Sequence, residues 1–411
     1  MKQDFAIDIN NISSEKMEYR KKNLELFNKE GFPNRRLETW KFTDLNKIIE
    51  ENFENLEAHN KSEEYQEVEL LKDFEHNYII LINGILKSNN FKHEDQKKFK
   101  INEYHENINN KIEIQNSLIS LNNALFNGGY SLEVSSNYKF KKPLVVYNYF
   151  LNNLENKIVN NKNMIILNEN SGLDLIESNS DISKKNFIYN NYTNIKLDEN
   201  ASLKSYNLQG CKSNGFFYKF LKVCLAKMSN YEDYIFSSGL KFNKVEEDVD
   251  VIGENAKCTI QSAISLSLNE HQEIKTQINH LKPNCVSYQK IKNVLNKNCK
   301  GAYQGKIFVK DVAQKTDAYQ LSKALLLDDS SEFNAKPELE IYADDVKCSH
   351  GSTSGSVNED SIYYLMTRGI SRKKAIGLLT KAFLFEIADS IQNEEIKVFV
   401  EKNLDRQIYG Y

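Results

Sequence analysis

The sequence predicts a mainly β protein, in which a long core of short stacked strands lies between an N-terminal helical or α+β region and C-terminal helices. Three observations carry this. From about residue 140 to 347, period-two alternation recurs in short runs such as Pro143–Phe150, Met164–Leu167, Phe216–Val223, Thr259–Leu268 and Gly305–Val309, with almost no helical periodicity. Polar turns recur before apolar strand positions, as in Glu169-Asn-Ser-Gly-Leu173, Glu199-Asn-Ala-Ser-Leu203 and Glu254-Asn-Ala-Lys-Cys258, with Leu295-Asn-Lys-Asn-Cys299 as an echo. Both flanks carry helix caps instead. Many short strands with recurring turns fit a solenoid or a large sandwich, and a β-helix is preferred because each rung needs a neighbour to cover it. Residues 1–139 then form the N-terminal region, 140–355 the β-helix core and 356–411 the C-terminal helices.

At the N-terminus, Ser13 can cap a helix with Ile12 and Met17 as a hydrophobic staple, while Met17, Leu24 and Phe27 share a face. Gly31 ends that helix and Pro33 prevents its resumption. Trp40 and Phe42 read as anchors of this region to the rest. Residues 46–135 contain a strand-like run at Tyr78–Ile82 and a helical one at Ile114–Leu125. Beyond the core, Asn358 can cap a short helix ending at Gly369, and Ser371 a longer one with a stripe at Ile376, Leu379, Phe383, Ile387 and Ile391. A last helix is expected over Glu394–Leu404.

The 411 residues carry a net charge of −3 with both signs interleaved, so no basic stripe points to nucleic acid. The longest apolar stretches, such as Tyr78–Leu86, are too short to span a bilayer. Met1–Asn11 carries two aspartates and fits neither a secretory signal nor an Arg-rich transit peptide. Six cysteines without a CxxC pair suggest a reducing, cytoplasmic setting.

No Gly-rich phosphate loop, GxSxG elbow or HExxH zinc motif occurs. Asp344 and Asp345 read as strand neighbours on opposite faces, and Glu246–Asp250 as a solvated face or loop. Cys224 and Cys258 read as core packing, while Cys285 and Cys299 follow turns and stay open between packing and chemistry; His280 and Cys285 could face each other across the bend at Pro283, but His280 reads first as a structural histidine. The most informative stretch is 338–355, an alternating strand pattern leading to Cys348 and His350 and then small-residue turns at Gly351 and Gly355. On a strand these two side chains share a face. A thiol beside an imidazole suits a soft metal or a nucleophile–base pair, and equally an ordinary interface. Two ligands leave a metal site incomplete, so another chain or a cofactor would have to finish it.

The run Pro337-Glu-Leu-Glu-Ile-Tyr-Ala-Asp-Asp-Val-Lys-Cys-Ser-His-Gly351 resembles the signature of the SufB/SufD family of iron–sulfur assembly scaffolds. Ala313–Gln320, Leu325–Leu327, His280-x-x-Pro283-x-x-x-Ser287-x-Gln289, Tyr364–Ile370 and Arg35-Arg36-x-Glu38-x-Trp40-Lys41-Phe42-Thr43 are similar to further family segments. The Lys-Cys-Ser-His-Gly form resembles the SufD branch rather than the SufB branch, although Ser352-Thr353 stands where Ala-Thr is common. The resemblance implies a right-handed parallel β-helix and a non-catalytic subunit of a SufB–SufC–SufD complex. It implies a SufC-type ATPase on the C-terminal helices and a SufB-type paralogue at the β-helix end near Cys348 and His350. His350, with Cys348 beside it, would then meet iron or the nascent cluster at that interface. No cofactor is expected to stay on the isolated chain; the cluster is transient, and the complex leaves room for a flavin. The rival readings are a SufB-like subunit carrying the cluster itself, a polysaccharide-active β-helix enzyme and a free-standing metal-binding module.

Overall fold

Alternation sends successive side chains to opposite faces of a strand, and stacked coils turn that alternation into columns. In the computed structural model, which describes residues 5–7, 13–60, 68–105, 116–151, 153–209 and 213–409, the strands form two ten-stranded sheets wound as a parallel β-helix. The first sheet runs from Phe99–Glu103 to Glu332–Ile341, the second from Ile85–Asn90 to Lys347–Ser356. Chain-consecutive strands alternate between the sheets, so each pairing joins strands one coil apart. Ser202, Asn230, Lys257, Val286, Asp317 and Lys347 therefore stack in one register. Asn77–Ile82 and Tyr130–Val134, which precede residue 140, also pair into the two sheets.

Inward positions form the core. One column of the first sheet reads Ile165, Ile195, Val223, Val249, Ile278, Ile307, Leu339. Each such residue buried stabilises the coil by about 1.5–3 kcal/mol. A column of the second sheet reads Leu173, Leu203, Tyr231, Cys258, Ser287, Ala318, Cys348, and the next ends Ile260, Gln289, Gln320, His350. Cys258 is buried in the core as expected, but Cys224 points to the outer face and is half-exposed.

The recurring turn segments are one corner of the coil. Asn137, Asn170, Asn200, Met228, Asn255, Asn284 and Lys315 all hold left-handed φ between 55° and 61°. Each donates its N–H to a carbonyl of the next corner, for example Asn170 to Glu199 at 2.9 Å and Met228 to Glu254 at 2.8 Å. Asparagine tolerates this conformation better than other residues with a Cβ. The next position is small and buried at every coil from Ser171 through Ala201, Ser229, Ala256 and Cys285 to Thr316, which explains Cys285. The echo at Leu295–Cys299 belongs to the opposite corner, with Asn298 at φ 56°. Met228 is exposed and contributes little packing. Met228→Asn is therefore expected to raise stability by up to about 1 kcal/mol in urea unfolding. A neutral or negative change would show that the corner backbone is not strained.

The coil ends differ. At the N-terminal end both sheets turn back through antiparallel pairs, and Phe91, Phe99 and Phe140 plug the interior, with Phe91 and Phe99 centroids 4.5 Å apart. At the other end the last strands are uncovered.

Helices dress the outer faces. Helix α1 (Ser14–Glu30) has Ser13 as its cap and ends at Gly31, φ 71°; Ile12 lies outside the described residues. With α2 (Leu45–Asn52) and α3 (Ser117–Leu125) it covers aromatic residues of the first sheet. Helices α4 (Glu359–Thr367), α5 (Arg372–Ala388) and α6 (Glu394–Tyr409) follow the last strand. Of the expected α5 stripe, Phe383 and Ile387 pack toward the second sheet together with Leu384, whereas Ile376 and Leu379 pack against α4; Ile391 falls beyond the helix, and Ser371 makes no side-chain cap bond. Two lysines fasten these coverings. Lys244 Nζ donates to Thr39 O at 2.7 Å and lies 4.2 Å from the Trp40 ring, and Lys292 Nζ donates to Phe383 O at 2.7 Å and lies 4.5 Å from the Phe383 ring. Glu273 and Glu386 neutralise them. Trp40 is the anchor, at 1% exposure, whereas Phe42 is only half-buried and Thr43 takes the second buried position.

Three sequence readings are corrected here. Asp344 and Asp345 lie on the corner between the last two strands, not on a strand. Gly351 and Gly355 are inside the last strand, not turns. Glu246–Asp250 is a strand segment in which Asp248 and Asp250 hold Lys222 at 3.1 and 2.7 Å, while Glu247 points inward and is buried. Local sequence could not show these pairings, because the partners come from the coil before.

Candidate functional site at the open coil end

The last coil consists of Glu332–Ile341 and Lys347–Ser356, each paired on one side only. In a parallel ladder alternate residues address opposite neighbours. Lys347 N–H bonds back to Thr316 O at 2.8 Å, so the backbone groups of Cys348 and His350 face the unpaired edge. Their side chains lie at inward positions, in register with Ala318 and Gln320. Equivalent positions in earlier coils are buried by the coil above. Here no further coil stacks on them among the described residues, so His350 is exposed and Cys348 half-buried.

Cys348 packs beside Ile307, Val309, Ala313, Ala318 and Ala343. Burial pushes its thiol above the ordinary value, and Asp317 adds to this against the lowering effect of the Ala318 backbone. A soft cation binding there would have to displace that proton.

The floor beneath the pair escaped the sequence reading. Tyr303 Oη lies 3.1 Å from both Gln289 Oε1 and Gln320 Oε1, and Gln320 Nε2 donates to Glu338 O at 3.2 Å. Gly305 makes the room: a Cβ there would sit 2.1 Å from Gln320 Oε1 and 2.2 Å from Tyr303 Oη. A glycine inside a strand was the available signal. Ser322 Oγ donates to Ser352 Oγ at 2.9 Å and ties the last strand to the floor.

The other candidates are structural. His280 is fully buried with Nε2 2.9 Å from Ser287 Oγ, a staple across the corner at Pro283. Cys285 donates to Gly253 O at 3.2 Å and does not meet His280 in any hydrogen bond of the structure. Cys299 is buried, its thiol pushed up to about 11 by burial. Cys211 lies outside the described residues. Among the described residues no three or more His, Cys, Asp and Glu side chains group so as to hold a metal ion. Cys348 and His350 thus form a ligand pair that this chain does not complete.

The profile of the SUF-system iron–sulfur cluster assembly SufBD core domain matches residues 149–383, and that of the SufBD N-terminal region matches residues 3–58. The chain belongs to the SufB/SufD family. It is 24% identical over 389 residues to the iron–sulfur cluster assembly protein SufD of Escherichia coli, spanning 92% of this chain and 90% of that protein. An iron–sulfur cluster assembly SufBD family protein of Synechocystis is 28% identical over 56% of this chain and 52% of its own length. One from Staphylococcus epidermidis is 23% identical over 66% and 58%. Of the segments that resemble the family, His280–Gln289, Ala313–Gln320, Leu325–Leu327 and Pro337–Gly351 lie in the last three coils and their corners, Tyr364–Ile370 lies at the end of α4, and Arg35–Thr43 surrounds the Trp40 anchor. Among the described residues no helix is long and apolar enough to cross a membrane.

Proposed function

We propose that this chain is a non-catalytic scaffold subunit of iron–sulfur cluster assembly of the SufD kind, and that a SufB-type paralogue seats on the open coil end. The carrying observation is that end itself. Two ten-residue strands present unpaired edges beside Cys348 and His350, while the opposite end is plugged by aromatic rings. Unpaired edges of this length call for a partner. A thiolate and an imidazole at the seam would supply two ligands, and the partner the remainder, to a cluster passing through as cargo. A SufC-type ATPase would dock on the C-terminal helices. Tyr363, Tyr364 and Met366 of α4 are exposed there, beside a surface hollow of about 400 Å³ lined by Asp360, Ser361, Tyr364, Leu365 and Leu379.

Two measurements test this. Purification from the native host should recover a SufC-like ATPase and a SufB-like paralogue with the chain. In that purified complex, His350→Ala should lower the yield of reconstituted cluster on the order of tenfold while the subunits stay together. Undiminished yield would reduce Cys348 and His350 to interface packing. The rival in which this chain carries the cluster alone predicts a stable cluster on the isolated chain. The incomplete ligand pair speaks against it.

A further inference from the structure

Inside the middle coils the apolar columns give way to a charged cluster that the assembly function does not use. Asp233 and Glu247 are buried at 0% and 2% exposure, on inward positions of facing sheets. Asn207 Nδ2 donates to Asp233 Oδ1 at 2.7 Å, and Tyr231 Oη donates to Glu247 Oε2 at 3.1 Å. The second oxygens, Asp233 Oδ2 and Glu247 Oε1, receive no donor. Tyr231, two residues before Asp233 on the same face of its strand, reaches Glu247 across the interior, so the two carboxyl groups face each other.

Two carboxylates left so in a dry interior repel each other and lack donors for two oxygens. A proton between them removes both faults. We infer that Asp233 and Glu247 form an internal proton-binding site that holds one shared proton in the folded chain.

The surroundings decide which residue keeps it. Lys219 is the cation of the cluster, and it is bound to Glu177 and to Asn207 Oδ1, next to Asp233. The Asn207 amide, which holds Lys219 through its oxygen, donates to Asp233 through its nitrogen. Asp233 is therefore the better-supplied anion, and Glu247, which receives only the Tyr231 hydroxyl, is the donor. Burial first, and then Asp233, push the Glu247 carboxyl well above its ordinary value. The remaining titratable neighbours are Tyr130 and Tyr189, facing Glu177, with Tyr231, Cys258 and Tyr303 facing the acids. Burial raises all five, so they stay neutral. One cation thus faces three carboxyl groups, and the proton halves the excess negative charge. A metal cation is the poorer occupant, since among the described residues no set of three or more His, Cys, Asp and Glu side chains groups closely enough to hold one, and Lys219 already occupies Glu177.

The test is infrared spectroscopy of the full chain at pH 8, more than three units above an ordinary glutamate pKa. The wild type should show the C=O stretch of a protonated carboxyl group, and Glu247→Gln should lack it. Asp233→Asn should keep the band but shift its frequency, because its acceptor changes from a carboxylate to an amide. This second variant preserves the test if the first does not fold. Absence of the band in the wild type, or a band unchanged in both variants, would overturn the inference. So would loss of the band on adding sodium or calcium chloride, which would make the pair a cation site.

Discussion

Lys244→Ala is expected to cost about 3–5 kcal/mol of stability and to free the N-terminal segment before the coils melt. The ammonium is fully buried, 2.5 Å from Glu273 Oε1, and also bonds Thr39 O. Glu273 is buried too. Burial alone pushes its carboxyl up, but Lys244 and Thr43, whose hydroxyl donates at 2.5 Å, outweigh that and hold it below the ordinary value. Deleting the lysine strands a carboxylate in the interior. Trp40, the only tryptophan of the sequence, sits on this contact and reports its loss by fluorescence. Urea unfolding followed at Trp40 should show an early transition in Lys244→Ala. It should largely disappear in Lys244→Met with Glu273→Gln, which removes both charges. A single wild-type-like transition in Lys244→Ala would mean that the segment is held by apolar packing instead.

The second large effect is acid sensitivity from His280. Burial pushes its imidazole down to about 4, against an ordinary value of 6.5. Between those values the unfolded chain binds a proton that the folded chain refuses. The contribution of His280 is therefore fully present above pH 6.5, is lost as pH falls toward 4, and totals about 3 kcal/mol. His271, also lowered to about 4 by burial, acts in the same direction. Glu247 acts oppositely, since the folded state keeps a proton that the unfolded chain releases above about pH 4.5. The wild-type curve is thus a difference of opposed slopes, and only comparison isolates one of them. His280→Val, which continues a column flanked by Val251 and Val309, should lose less stability than wild type between pH 7 and 4.5. Equal losses would refute the assignment.

Much of the fold was legible because alternation and corner chemistry are local. Asn170, Asn200 and Asn255 marked three corners of one series, and the helix caps at Ser13 and Asn358 formed as their residue types require. Legibility failed where one coil answers another. Lys219, Asp233 and Glu247 break the apolar inward pattern because their counterparts lie on neighbouring coils, and Glu246–Asp250 looked solvated because Lys222 is a coil away. The same limit applied to the site. Cys348 and His350 stood out as a same-face pair, but that they end two interior columns follows only from their register with Ala318 and Gln320. Tyr303 and Gly305 beneath them carried no motif.

The unequal coil ends also set a ceiling on assembly. A solenoid with two bare ends could add subunits head to tail without limit, as a filament does. Here Phe91, Phe99 and Phe140 seal one end behind reversed strands, leaving a single face for growth. In the proposed assembly a paralogue built on the same plan would join through that face and consume it in both subunits, so growth along the coil axis would stop at two. The aromatic plug is in this sense a counting device.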